Sequence, residues 1–295
     1  MKYIMIFLLF PVFLSAQQLQ FAEIEEQLQE LGTTLLEDTL KVNRISAAGK
    51  IEVILKETLT QQGAFEYPFA SLTFLSIQQP EDGSFRIFTW QLYEDIKEYK
   101  YFGIIQMPGK TPTIHLLTDE SSGVADEDLV YEVMDKERWY GALYYNLKEY
   151  KTKKGKRYLL FGFDGYGFFN KRKLIEVLSF DKGAPVFGEP TFYPNEENRP
   201  DLALYRMVLT FSSATSIRLN YDEYLGLIVY DNLLTSNNEL GEDAYLPDGS
   251  YRGYKLKKGR WIVEEKIFDH TWEDAPRPQP ILNGRKGNKD VFGNR

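Results

Sequence analysis

Apolar positions along the chain change their period twice, and the changes divide it into zones. Phe21, Ile24, Leu28, Leu31 and Leu35 recur every three or four residues, with Glu23, Glu25, Glu26, Gln27 and Glu30 between them. That spacing places one apolar stripe on an otherwise polar helix. A second stripe runs through Ile51, Leu55 and Leu59 with Ile54 beside it, and Gly63 stands where a helix would stop. A helical hairpin is therefore predicted over 17–63. Its stripe is short for a coiled-coil seam and is expected to pack on its own domain.

From 64 to 272 the period shortens, and aromatic and β-branched runs alternate with turn residues. Asp82-Gly83 separates 72–77 from 85–92, and Lys154-Gly155 separates 143–150 from 156–163. Gly183 closes 174–180 onto 185–192, and Lys258-Gly259 joins 251–257 to 261–268. Each pattern is a β-hairpin signal. Further strands are expected at 100–107, 114–117, 205–211, 216–220 and 225–233, about thirteen in all. Short loops require antiparallel pairing, because a parallel crossover takes a dozen or more residues. The predicted fold is mainly β: a large antiparallel meander, partly closed as a barrel or folded as a sandwich, carrying the helical hairpin.

A β-propeller is the alternative. Aromatic-glycine clusters punctuate the β zone at Tyr101-Phe102-Gly103, Trp139-Tyr140-Gly141, Phe161-Gly162-Phe163, Phe187-Gly188 and Tyr251-Arg252-Gly253-Tyr254. Their central glycines lie 38, 21, 26 and 65 residues apart, whereas propeller blades repeat more evenly. Thirteen strands would also fill only about three four-stranded blades. Glycine within a strand marks a bend, a bulge or a ring packed across it, which suits the meander better.

The two ends follow other rules. Lys2, the apolar run from Ile4 to Leu14, and Ser15-Ala16 resemble the three regions of a secretory signal peptide, expected over 1–16. At about 11 residues the run is shorter than the roughly 20 of a membrane-spanning helix. No cysteine follows it for a lipid anchor, and no second long apolar run appears. The mature chain is expected to lack a transmembrane segment and to reside in the periplasm or outside the cell. Beyond 273, Ala275-Pro276-Arg277-Pro278-Gln279-Pro280 and a glycine-rich basic stretch predict an extended, disordered tail over 273–295.

Composition narrows the function classes. The 295 residues include 35 basic and 43 acidic side chains, and loss of 1–16 would carry the net charge from −8 to −9. That balance argues against nucleic acid as a partner. With no cysteine there is no disulfide, thiol nucleophile or thiolate metal site. Forty residues are Tyr or Phe, in keeping with a β-rich fold.

Several motifs resemble those of an uncharacterised group of exported bacterial proteins. They are Tyr67-Pro68-Phe69, Phe85-Arg86-Ile87-Phe88-Thr89-Trp90, Trp139-Tyr140-Gly141-Ala142-Leu143-Tyr144-Tyr145, Leu160-Phe161-Gly162-Phe163-Asp164-Gly165, Phe187-Gly188-Glu189-Pro190 and Leu246-Pro247-Asp248-Gly249-Ser250-Tyr251. The resemblance implies export and one continuous unit from about 44 to 268; it implies no activity or ligand.

A search for reactive groups leaves few candidates. There is no Gly-x-Ser-x-Gly, and the two histidines, His115 and His270, lie too far apart in sequence to suggest a ligand pair. His115 reads as structural and His270 as a loop residue. No cofactor is expected, and no metal site is assigned. The segment 119–137 holds eight acids, among them Asp126 and Asp128, but lacks the spacing of a calcium loop. Phe163-Asp164-Gly165-Tyr166-Gly167-Phe168 reads as a hairpin turn rather than a phosphate cradle.

Two binding chemistries remain. Trp90, Trp139, Tyr144, Tyr145 and Trp261 would make a stacking platform for a sugar or peptide if they share a surface, with Arg86 as its polar anchor. In a β-rich core the same residues fill volume. Asp164, Glu176, Glu189, Asp222, Asp231 and Asp248 are the carboxylates from which a glycosidase pair, roughly 5–10 Å apart, would be drawn. Asp231, after the apolar run 225–230, suits either a site or a turn cap. The binding residues singled out are thus Arg86, Trp90, Trp139, Tyr144, Asp164 and Asp231, with no catalytic residue assigned. The leading expectation is a non-catalytic binding or scaffolding protein of the cell envelope, with an envelope protein or glycan as partner. A carboxylate hydrolase acting on an envelope glycan and a calcium-stabilised structural module are the alternatives.

Overall fold

A computed structural model of the chain describes residues 10–96, 98–194, 203–237, 243–265 and 267. Most of the expected signal segment, His270 and the expected tail lie outside the described residues. Two helices lead, α1 (Phe10–Glu37) and α2 (Lys41–Thr58), joined by a tight turn. Asp38 closes that turn by accepting the Leu40 N–H at 2.8 Å and the Asn43 side-chain amide at 2.9 Å. No described helix is long and apolar enough to cross a membrane.

Three antiparallel sheets follow. The first runs β1 (Ser76–Gln78), β2 (Arg86–Asp95), β3 (Glu98–Met107) and β4 (Thr113–Leu117) in sequential order. The second contains β5 (Met134–Asp135), β6 (Leu143–Thr152), β7 (Gly155–Asp164), β8 (Asn170–Asp181) and β9 (Ala184–Phe187), with β11 (Arg206–Ser212) paired to β8. The third is built from β12 (Leu219–Asp222), β13 (Leu227–Asn237), β14 (Asp243–Lys257) and β15 (Arg260–Glu264), and the short β10 (Phe192–Tyr193) joins it parallel to β15. All four hairpins expected from their turns form. At Lys182-Gly183 both turn residues have positive φ, 49° and 86°, the two-residue loop whose twist matches the flanking strands.

Strand alternation stacks these units in four layers. On β2, Phe88, Trp90 and Leu92 face the helices, whose Leu28, Leu35, Ile51 and Leu55, with Leu59 just past α2, complete that core. Phe85 and Ile87 point to the opposite face and meet Tyr158 and Leu160 of β7 and Leu174 and Leu178 of β8. The other faces of those strands, Leu159, Phe161, Ile175 and Val177, pack on Ile228, Tyr230, Tyr254 and Trp261 of the third sheet. A bulge between Tyr144 and Asn146 shifts the register of β6, so Tyr144 and Leu147 both face the middle core. The sheets stack face to face, none closes into a barrel, and the architecture is a layered β-sandwich built from a meander. Blades set around an axis, as in a propeller, are not what these contacts describe.

Buried polar groups tie the layers. Glu25 of α1 accepts the Tyr67 hydroxyl and the Ser71 N–H, both at 2.6 Å. Arg44 of α2 donates to the Tyr93 and Glu94 carbonyls of β2 at 3.1 and 3.3 Å. Deeper, Arg206 and Glu176 form an ion pair in which both side chains are fully buried. Arg206 Nε and Nη2 donate to one Glu176 oxygen at 2.9 and 2.6 Å, and Tyr144 donates to the other. Removal of one partner from such a pair leaves an uncompensated buried charge. Arg206→Met is therefore expected to lower stability by about 3–5 kcal/mol. Adding Glu176→Leu should recover at least half of that loss, read as urea-denaturation midpoints; strictly additive losses would show that the pair does not act as a unit.

Candidate functional site

Asp164 ends β7, and its cross-strand partner Arg172 lies two residues into β8. Between them, Gly165 to Phe169 form the connecting loop. β3 brings Tyr99 and Tyr101 to the same place, and the segment leading into β6 brings Tyr140. Together with Ser121, Ser122 and Asp126 these side chains line an open cavity of about 640 Å³. Such a volume is in the range of small-molecule sites.

Close packing there depends on two glycines. A Cβ on Gly141 would lie 2.4 Å from Asp119 Oδ1 and 2.5 Å from the Tyr101 Cβ. A Cβ on Gly165 would meet the Tyr99 ring at 2.7 Å. Two of the aromatic-glycine clusters noted in the sequence, those at Gly103 and Gly141, and the turn read at Gly165 thus converge on this cavity.

Asp164 is 3% exposed and is the hub of the site. Its Oδ1 accepts the Tyr101 hydroxyl and the Tyr166 N–H, each at 2.8 Å, and its Oδ2 accepts the Tyr140 hydroxyl at 2.5 Å. Both phenols also accept: Tyr101 from the Gly165 N–H at 2.7 Å, Tyr140 from Arg172 Nη1 at 3.2 Å. Each phenol accepts one N–H and has its own proton free for Asp164, an arrangement that suits the carboxylate form. Burial pushes its pKa above the usual aspartate value, and the phenol, backbone and guanidinium contacts work against that push. Burial, reinforced by the Asp164 charge, holds both phenols well above their ordinary value.

Arg172 is the second centre. Its guanidinium lies 3.5 Å from the Tyr166 ring centroid, ion-pairs with Asp126, and donates from Nε to Thr210 at 3.3 Å. The hydrogen bond from Arg172 holds the Asp126 carboxyl below its usual range. Burial works against the Arg172 charge, yet Asp126 and Tyr140 outweigh it and keep the guanidinium protonated.

Asp164 is the one singled-out residue found in this cavity. Arg86 is 3% exposed and donates to Gln106, to the Tyr67 carbonyl at 2.7 Å and to the Ala64 carbonyl at 2.6 Å. Burial lowers its pKa to about 10, and its place is beneath the helices rather than beside an open surface. Trp90, Trp139 and Trp261 do not meet: they lie in the helix–sheet core, the middle core and the outer core respectively. Trp139 Nε1 donates to Tyr144 at 2.7 Å within the enclosed Glu176–Arg206 network. Tyr145 donates to the Leu219 carbonyl and packs on the outer core.

Asp231 sits at the bulge of β13 and accepts the Arg218 N–H, a strand-capping contact. Glu189 pairs with Arg157, while Asp222 and Asp248 cap turns. His115 lies on β4, apart from the cavity lining, with its pKa lowered chiefly by burial. Among the described residues no group of three or more His, Cys, Asp or Glu side chains is arranged to hold a metal ion.

Tyr99, Tyr101, Tyr140, Tyr166 and Arg172 line the cavity without having been singled out from the sequence, and Asp126 entered that reading only as a calcium candidate. Tyr99 and Tyr101 carried a signal in Gly165 and Gly141, the glycines they pack against; Arg172 carried none beyond its charge. Comparison with family models, curated proteins and solved structures finds no match.

Tyr101→Phe removes a donor to a buried carboxylate and is expected to destabilise by about 1.5–3 kcal/mol. Tyr166→Phe, whose hydroxyl lies 3.4 Å from exposed Asp126, should stay within about 0.5 kcal/mol of the parent. Equal effects in urea denaturation would contradict the hub role of Asp164.

Proposed function

We propose that this chain is an exported, non-catalytic binding protein of the bacterial cell envelope, and that the cavity at Asp164 holds an envelope glycan. The observation that carries the reading is the occupancy of the Asp164 oxygens: three donors already hold them. A carboxylate so engaged organises tyrosines around a cavity, and attack on a substrate would require it to give up those contacts. Tyr166 and part of Tyr99 offer exposed ring surface, and the hydroxyls of Ser121 and Ser122 with Asp126 and Arg172 offer a polar rim. That pairing suits a sugar, which has an apolar C–H face and a rim of hydroxyls.

One observation favours a second reading. Burial shifts Asp164 upward while Arg172 shifts Asp126 downward, and the two carboxylates line one cavity. Oppositely displaced carboxylates are the pattern of a glycosidase acid and its partner. Calorimetric titration of the chain lacking 1–16 with soluble neutral oligosaccharides, alongside an assay for new reducing ends, separates the two. Saturable binding without new reducing ends is expected. Turnover abolished by Asp126→Asn or Asp164→Asn would replace binding by hydrolysis.

A further inference from the structure

A second cavity, of about 850 Å³, adjoins the first. Asp126, Tyr166 and Arg172 line both, so the two compartments meet at this group of side chains. The group is braced from the protein side. Arg172 is nearly buried, whereas the Asp126 side chain is 61% exposed and Tyr166 is 40% exposed. One face of the Tyr166 ring is covered by the guanidinium. Tyr166 also holds a φ of 47°, a left-handed conformation that an aromatic residue adopts at a conformational cost, although glycines flank it on both sides.

The walls of the second compartment are aromatic and aliphatic. Phe168 and Phe169, 54% and 36% exposed, stand edge to face with centroids 4.8 Å apart. Val208 and Leu209 of β11, Leu233 of β13 and Tyr245 of β14 complete the apolar lining. Large exposed rings at the mouth of a cavity are otherwise costly surface to leave uncovered.

We propose that the two compartments are consecutive subsites of one groove, and that the groove takes an extended, uncharged oligosaccharide crossing the Tyr166 ring. This inference rests on the glycan-binding reading and adds its length and charge. Charge narrows the class. In the first compartment Lys41 pairs with Glu94 and Glu98, Arg172 pairs with Asp126, and Asp119 and Asp164 are occupied by hydrogen-bond donors. The second pairs Asp126 with Arg172 beside Asp243. Charges already engaged within the protein leave a neutral chain as the best match. The exposed rings of Tyr166, Phe168 and Phe169, with part of Tyr99, and the guanidinium and carboxylate at their junction match a chain that presents alternating C–H faces and hydroxyl rims. Each compartment alone is large enough for a small-molecule ligand, so a single sugar would leave half the groove unfilled.

The test is titration calorimetry of the chain lacking 1–16 with N-acetylglucosamine oligomers of increasing length. Affinity is expected to rise about tenfold once an oligomer is long enough to reach the second compartment, and then to level off. In Phe168→Ala/Phe169→Ala the longest oligomers should fall to the affinity of the shortest, while Tyr166→Ala should weaken oligomers of every length. Unchanged melting temperatures in these variants would show that the fold survives. Binding that ignores length, or a length gain that survives the double substitution, overturns the two-subsite groove and leaves the glycan-binding reading standing. Failure of every oligomer to bind removes both. Tighter binding of an uncharged Ser-Ala hexapeptide than of the longest oligomer would reassign the groove to a peptide.

Discussion

A carboxylate that is 3% exposed has to be satisfied from within the protein, and Asp164 is satisfied by groups from three separate parts of the chain. Tyr101 comes from β3 in the first sheet, Tyr140 from the segment before β6, and the Tyr166 N–H from the loop that leaves β7. Desolvation of an ion is expensive, and it is offset only when each donor is held at the correct distance. The requirement therefore propagates outward. Tyr101 must lie close to Gly141, Tyr99 must cross Gly165, and the β7–β8 loop must bend so that Tyr166 caps the carboxylate it follows. Arg172, donating to Tyr140, supplies the positive charge that makes a buried negative charge tolerable.

The chain contains a second buried carboxylate with an arginine, and comparison of the two separates structure from site. Glu176 and Arg206 are both fully enclosed, and their remaining hydrogen bonds go to Tyr144, to the Leu129 carbonyl and to Met134 Sδ. Their surroundings admit no ligand, so they act on the stacking of the sheets. Arg172, by contrast, pairs with an Asp126 whose side chain is largely exposed, and its stacked ring opens to solvent. The same chemistry placed at the edge of the sandwich, rather than in its middle, presents charge and aromatic surface together.

Much of the fold was legible from periodicity. The stripes of α1 and α2 and the four hairpin turns follow from local rules, and the structure forms them where those rules put them. The two-residue strands β5 and β10 were not legible, because they are made by distant partners rather than by their own pattern. The destination of the tryptophans was also hidden. Alternation says that Trp90 faces away from Thr89, but not which layer lies on that side. For the same reason Asp164 could be singled out while Arg172, Tyr99 and Tyr140 could not. Their role depends on three strands meeting at one edge, and only the glycines at Gly141 and Gly165 left a trace of that meeting in the sequence.

The central claim is that Asp164 is an ionised organiser of the tyrosines and not a proton donor. The most direct test is the carboxyl ¹³C resonance of Asp164, assigned by comparison with Asp164→Asn and followed from neutral pH into acid. The account predicts the ionised position at pH 7, with protonation beginning above the ordinary aspartate value of 3.8 because burial raises the pKa, and Tyr101 and Tyr140 remaining protonated throughout. A carboxylic acid at pH 7 would contradict it and would make Asp164 the general acid of a hydrolase.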